Sequence, residues 1–329
     1  MKMATNDKFG WALIGCGGAG NGHARYASDT PDVEVRGFCD VRSDSAKNFH
    51  EQYGGDYYTT DPDRVFSDPS VDIVSIATSH SSHADLAVAA FNAGKHLYLE
   101  KPMAMTTADC LRIYEAMKSA DRKLMINFSI RFSGAAREIK KRIRAPKVSH
   151  GQCMMGPADL SRWRWHAEEG GGPLYDVGVH AVDLLCWIHG ANPVEVYATG
   201  GQITHPDGEL DSPDTVDTAA ATIRFANDSV ATFLMSDAGS NPVISKWFFE
   251  FFDGEQSAVL YEHFSKVTFG GDETLKPGPI ERMPFLVEAI RNDTDSYVPA
   301  RPGIVSTLLV EKITEAIHTG RPQKVEIPL

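Results

Sequence analysis

Gly15-Cys16-Gly17-Gly18-Ala19-Gly20 stands between a short apolar run, Trp11-Ala12-Leu13-Ile14, and a helix-like stretch. Twenty residues past Gly20, a second β-like run from Val33 to Cys39 ends in Asp40. Strand, glycine turn, helix, strand and acid in that order confine the segment to a β-α-β unit of a parallel sheet, and each part has a mechanical role. Gly15 allows the tight turn, Gly17 lets the backbone approach a pyrophosphate, and Gly20 lets the helix pack close to the strand. The helix start at Gly18 and Ala19 offers unpaired N–H groups and a positive dipole end to an anion. The pattern therefore predicts a dinucleotide site. A carboxylate at Asp40 accepts hydrogen bonds from both ribose hydroxyls and repels a 2′-phosphate, which favours NAD. Arg42, two residues on, can accommodate that phosphate, so NADP stays open beside it.

Strand-like and helix-like stretches go on alternating through the first ~130 residues, as βαβ units do. A helix from about Asp44 to Tyr53 and a short one near Asp61 to Phe66 precede a strand over Val71 to Ala77. Ser82 stands where it could cap a helix running to Ala93, and Gly94 stops it. A strand at His96 to Leu99, a helix from Thr107 to Ser119 and a strand at Leu124 to Phe128 close the series. The expectation is a doubly wound parallel sheet over residues 1–129. From about Val148 the pattern changes to successive strands: Val148 to Met155, Val194 to Gly201, Val216 to Phe225, Ser229 to Ser236, Lys246 to Phe252 and Ala258 to Tyr261. Asn227-Asp228 reads as a hairpin turn between two of them. Two helices follow, about Met283 to Asn292 and Gly303 to His318, which are expected to pack back on the body of the protein. A second domain over residues 130–329 is implied. A large open sheet needs its second face covered, which predicts a homo-oligomer, dimer or tetramer, built through that sheet.

With 42% hydrophobic and 23% charged residues, the 329-residue chain has an ordinary globular composition and room for two cores. A net charge of −12 argues against nucleic acid as a partner. Five scattered cysteines without a CxxC pair suggest neither a disulfide framework nor structural zinc, and fit a reducing cytoplasm. No run has the length of a membrane span, and no long apolar leader precedes the first strand.

Two further segments carry chemistry. Glu100-Lys101-Pro102 follows a strand, at the sheet edge where open α/β sheets bind ligands. Proline holds the preceding lysine extended, and a lysine so placed can stabilise an alkoxide or take part in proton transfer; it can equally be a surface turn residue. In Gly170-Gly171-Gly172-Pro173-Leu174-Tyr175-Asp176-Val177-Gly178-Val179-His180-Ala181-Val182-Asp183, Asp176 and His180 are four apart and would share a helix face, with Asp183 nearly aligned. Histidine titrates near neutrality and suits removal of a hydroxyl proton. A core histidine paired with a carboxylate is the bland alternative. No third ligand follows at metal spacing, so no metal is expected.

These three blocks together resemble the Gfo/Idh/MocA family of NAD(P)-dependent sugar and cyclitol oxidoreductases, over nearly the whole chain. The resemblance implies an α/β protein: an N-terminal Rossmann doubly wound parallel sheet, then a C-terminal α/β domain on a large open, mostly antiparallel sheet. It implies that Lys101, Asp176 and His180 are catalytic, with His180 as acid/base, Lys101 polarising the oxygen and Asp176 orienting the substrate or sharing the proton. Glu100 and the loop Thr78-Ser79-His80-Ser81-Ser82-His83 would lie by the cofactor; His83 matches a family histidine, whereas Ser79 replaces a proline. Asn127 and Arg131 match a segment beside the substrate pocket. Arg162-Trp163-Arg164-Trp165-His166 is the candidate for substrate choice, since aromatic faces stack on sugar rings and arginines donate to hydroxyls; Arg162, Trp163 and Trp165 are its named contacts. The implied reaction is reversible hydride transfer between a secondary alcohol of a sugar, cyclitol or related polyol and NAD. Redox-assisted glycoside cleavage uses the same residues, and a dinucleotide-binding regulator of sugar genes is the non-enzymatic alternative.

Overall fold

In the computed structural model, residues 8–156, 159–206, 210–212, 214–239 and 245–329 are described. Residues 1–7, read above for the lack of a leader, lie outside them. The chain divides into two compact units. The first comprises Met1–Ala104, Ala108–Asn127 and Glu281–Ile304, and the second Met105–Thr107, Phe128–Ile280 and Val305–Leu329.

The first unit is built on six parallel strands: β1 (Phe9–Ile14), β2 (Val33–Cys39), β3 (Tyr57–Thr59), β4 (Ile73–Ile76), β5 (His96–Leu99) and β6 (Leu124–Ile126). Their order is β3-β2-β1-β4-β5-β6, a doubly wound sheet whose direction of winding reverses between β1 and β4. Helices α1 (Gly18–Ser28), α2 (Ser43–Tyr53), α3 (Pro62–Ser67), α4 (His83–Asn92) and α5 (Thr107–Ala120) make the crossovers. Every residue of β1 and β4 is buried, as central parallel strands require. The strand β3 escaped the sequence reading because three residues carry no periodicity. At α4, Ser82 holds the cap position but its hydroxyl donates to Ser79 O at 2.8 Å and contacts Thr78 Oγ1 at 2.6 Å, so the expected side-chain cap is not formed. Gly94, at φ +74°, follows the C-cap residue Ala93 where the helix was expected to stop.

The second unit carries β7 (Val148–Met154), β8 (Pro193–Gly201), β9 (Thr218–Phe225), β10 (Val230–Ser236), β11 (Trp247–Phe252), β12 (Ser257–Tyr261), β13 (Lys266–Phe269), β14 (Glu273–Leu275) and β15 (Gln323–Lys324). They form one sheet in the order β14-β13-β12-β11-β7-β10-β9-β8-β15, antiparallel except for the β7–β10 pair. The β9–β10 hairpin turns at Asn227-Asp228, with Asp228 at φ +64°. Register separates the two faces of this sheet. One row across it reads Ala198, Ala221, Phe233, Gly151, Phe249, Leu260 and Val267, of which all but the half-buried Gly151 are buried. The neighbouring row reads Tyr197, Thr222, Thr232, His150, Glu250 and Val259, all exposed or half-buried. Helix α6 (Gly134–Arg142) packs on β12 and β13, and a π-helical turn at Leu174–Gly178 leads into α7 (Val179–His189) and packs on β10. The unbroken helix expected over residues 176–183 is thus a π turn followed by an α-helix. Helices α8 (Met283–Asn292) and α9 (Ala300–Thr319) come last, and α9 begins three residues before the expected Gly303. The boundary between units falls inside α9, after Ile304. No described helix is long and apolar enough to cross a membrane.

Candidate active-site residues

In the first unit the relevant loops leave the C-terminal ends of β1, β2, β4 and β5, where ligands of such sheets bind. Gly15 sits at φ +102°, and a Cβ there would fall 2.5 Å from the Ala77 carbonyl. A Cβ on Gly20 would fall 2.1 Å from Gly15 O, so this glycine lets α1 close on the turn. Gly17 and Gly18 face open space, and Gly17 to Ala19 are exposed at the start of α1, whose first turn holds no acidic residue. Open backbone donors at a helix N-terminus fit a pyrophosphate. Asp40 Oδ2 accepts the Cys16 N–H at 2.8 Å and Oδ1 the Arg42 N–H at 2.9 Å, which fixes the carboxylate as a rigid acceptor. The Arg42 side chain is mostly exposed, its Nε 3.8 Å from Asp40. Burial, and then the charge of Asp40, push the Cys16 and Cys39 thiols well up, so both stay protonated beneath the loop.

Of the loop after β4, Thr78 and Ser79 are half-buried, while His80 and His83 are buried. His83 is fully enclosed, and its Nδ1 lies 2.8 Å from Pro102 O. Burial holds its pKa below the usual histidine value, with the Pro102 hydrogen bond opposing. The ring is therefore packed on the Glu100-Lys101-Pro102 turn.

Glu100 is the hub of a buried polar cluster. Its Oε1 meets His23 Nε2 at 2.9 Å and accepts from Asn127 Nδ2. Asn127 Oδ1 accepts from the Tyr98 hydroxyl at 2.8 Å and from Arg282 at 2.6 Å. Burial alone would raise the Glu100 pKa, but the hydrogen bond and charge of His23, then the charge of Lys101 and the Asn127 hydrogen bond, hold it at about 2. Glu100 Oε2 accepts the Lys101 backbone N–H at 3.2 Å. Lys101 itself is half-buried. Asn127, read as a substrate contact, has both ends of its amide committed to this cluster. Sequence reading missed His23 and Arg282. The signal for His23 was its place on the buried stripe of α1 with Gly20, Ala24 and Ala27; Arg282, far along the chain, gave none.

In the second unit, Gly171 and Gly172 take φ of +73° and +79° and lead into the π turn. The turn carries Asp176, whose N–H donates to Gly172 O at 3.0 Å, and α7 carries His180 one turn on. Such π turns recur at functional sites. Both side chains are half-buried; Phe128 meets the His180 ring edge-to-face at 6.2 Å, and Arg164 lies 3.4 Å from Asp176 Oδ2. Asp183 does not join them: it is buried in a two-pronged ion pair with Arg131, at 2.6 and 2.9 Å. Burial pushes the Asp183 pKa up, with Arg131 opposing. Arg131 is thereby committed within the core, not presented to a substrate. Trp165 is only 7% exposed and abuts the His205 ring, so its face is not open for stacking. Trp163 is half-buried under the Arg164 guanidinium, and Arg162 is exposed and pairs with Asp159 at 3.2 Å. Arg164 of this loop reaches Asp176.

Two family models match the chain. An oxidoreductase family with an NAD-binding Rossmann fold matches residues 9–128, and the GFO/IDH/MocA C-terminal domain matches residues 142–244. Myo-inositol 2-dehydrogenase of Thermotoga maritima is 28% identical over 224 residues, 66% of this chain and 65% of that protein. Inositol 2-dehydrogenase of Acidothermus cellulolyticus is 30% identical over 240 residues, covering 71% of this chain and 68% of that protein. The matched stretches thus span about two thirds of these relatives' length. Among solved structures, a levoglucosan dehydrogenase in complex with NADH superposes with a TM-score of 0.88 at 21% identity, covering 97% of this chain and all of that one.

Proposed function

The chain belongs to the Gfo/Idh/MocA oxidoreductase family, whose N-terminal model is an NAD-binding Rossmann fold, and we propose that it transfers a hydride between a secondary alcohol of a sugar, cyclitol or related polyol and NAD. The observation that carries this reading is the sheet edge of the first unit. There an open glycine turn and a fixed Asp40 carboxylate accompany a lysine whose backbone is tied to an ionised glutamate. Relatives named for inositol and levoglucosan support the substrate class. Bound NAD supplies the acceptor for the carbinol hydrogen. His180 takes the hydroxyl proton as that hydrogen leaves, Lys101 donates a hydrogen bond to the same oxygen, and Asp176 holds the proton-transfer geometry. Arg164 beside Asp176 supports a role in orienting that carboxylate. The fixed Asp40 favours NAD over NADP, since a 2′-phosphate would meet a like charge.

In this reading copies of the chain pair through the outer face of the nine-stranded sheet, where Val148 (50% exposed) and Tyr197 (44% exposed) leave apolar surface open. Light scattering then gives two or four times the chain mass, and the mass of one chain at micromolar concentration refutes it. None of the five cysteines is in a disulfide, which supports work in a reducing compartment such as the cytoplasm. The activity is tested by NADH formation at 340 nm over a panel of inositols, levoglucosan and aldoses. At least one polyol is expected to reduce NAD. NADH binding without turnover of any of them, in either direction, overturns the proposal.

A further inference from the structure

The cluster behind Lys101 has no part in the proton transfers assigned above. His23 is fully buried and stacks on Tyr98 at 4.3 Å. With Asn127 it converges on one oxygen of Glu100, while the other oxygen holds the Lys101 N–H. Arg282, at the cap of α8, closes the far side by donating to Asn127 Oδ1 at 2.6 Å, and its guanidinium lies 4.7 Å from the Tyr26 ring. The residue after Lys101 is held as well, through His83 and Pro102 O at 2.8 Å. His23 of α1 and Asn127 after β6 therefore hold the carboxylate that follows β5, and Tyr98 of β5 and Arg282 at the start of α8 hold Asn127 in turn. Apolar side chains could fill this space without burying a charge, so packing alone does not explain the arrangement. What it supplies is direction, because each donor restricts where the carboxylate can lie.

We propose that His23, Asn127 and Arg282 are positioning residues, which fix the Glu100 carboxylate and through its Oε2 the backbone of Lys101, so that the lysine ammonium is presented from a rigid turn. The consequence for turnover rests on the oxidoreductase reading, whereas the positioning itself does not. Losing His23 or Arg282 loosens the turn. A conservative replacement of His23 that keeps a donor toward Glu100 restores it.

The experiment acylates the full-length protein with an acetyl N-hydroxysuccinimide ester and compares Lys101 with exposed Lys47 by peptide mass spectrometry, in wild type, His23→Ala, His23→Gln and Arg282→Met. The expected result is a change in the Lys101 to Lys47 rate ratio of about threefold or more in His23→Ala and Arg282→Met, with His23→Gln near wild type. Equal ratios in all four proteins overturn the proposal, as does a change in His23→Gln as large as in His23→Ala. Should His23→Ala fail to fold, Arg282→Met, at a half-buried side chain, decides by itself. With a polyol that the wild type oxidises, kcat falls about tenfold in the loosened variants while KM moves little. A raised KM at unchanged kcat contradicts the inference. A wild type that oxidises no polyol overturns the proposed function and leaves the acylation ratios to judge this one.

Discussion

Acid should destabilise the second unit through one histidine. His189, at the end of α7, is 3% exposed and lies flat on Phe225 at 4.4 Å. Its Nδ1 is 2.7 Å from Ser229 Oγ and its Nε2 2.8 Å from Ser149 Oγ. The Ser229 hydroxyl donates to Asn227 Oδ1, so it accepts from Nδ1–H, and Nε2 is left to accept the Ser149 proton. Both ring nitrogens are therefore satisfied in the neutral form, and a second ring proton would have to displace the Ser149 donor. Burial, then the nearby Lys140 ammonium, lower the pKa from 6.5 to about 4. A folded-state pKa below the unfolded one means that stability is full above pH 6.5 and falls as the pH drops toward 4, because the unfolded chain takes up a proton that the folded one refuses. At about 1.4 kcal/mol per pH unit, His189 costs the fold about 2 kcal/mol between pH 7.5 and 5. The assay is urea unfolding followed by tryptophan fluorescence, which is dominated by Trp163, Trp165, Trp187 and Trp247 of the second unit. The His189→Gln variant keeps hydrogen-bonding capacity but does not titrate, so its loss of stability on acidification is smaller than the wild type's by that amount. Equal losses in the two proteins would refute the reasoning.

Other consequences follow from the same geometry. Gly17→Ala enters open space and should weaken NAD binding about tenfold or more without lowering the melting temperature, whereas Gly20→Ala drives a Cβ onto Gly15 O and should lower both; calorimetry and NADH fluorescence separate the two. Asp40→Ser removes the like charge facing a 2′-phosphate and should shift the NADP to NAD preference in kcat/KM upward by about tenfold or more. Arg131→Met leaves Asp183 buried without its cation and should cost about 3–5 kcal/mol in chemical denaturation, most of which Arg131→Met with Asp183→Leu recovers. In the first unit His96, lowered to about 4 by burial and by Arg122 and Lys123, should titrate in NMR far below a free histidine.

What was legible in the chain depended on how local its cause was. The β1–turn–α1–β2 unit could be read because each glycine answers a contact within a few residues or across one strand, as with Gly15 and Gly20. Long strands such as β9 announce themselves, whereas β3, β14 and β15 are too short to show alternation. The π turn was invisible because the sequence of Leu174 to Gly178 is as compatible with an α-helix; the insertion is set by the two left-handed glycines before it and the packing on β10. Partners distant in sequence were also hidden. Nothing local ties Arg131 to Asp183 or Arg282 to Asn127, yet these pairings decide that Arg131 and Asn127 are held in the interior. Motif matching therefore marks segments but does not tell which of their side chains, such as Arg131 and Asn127, are committed inside the fold.

The most direct test of the central assignment is stopped-flow hydride transfer in Lys101→Ala and His180→Ala, with NAD saturating and a polyol deuterated at the reacting carbon. The account predicts that the rate of NADH appearance drops about 10²-fold or more in each variant, while NAD affinity stays within a few-fold of wild type. Transfer at near-normal rates in both variants, with the isotope effect intact, would contradict it.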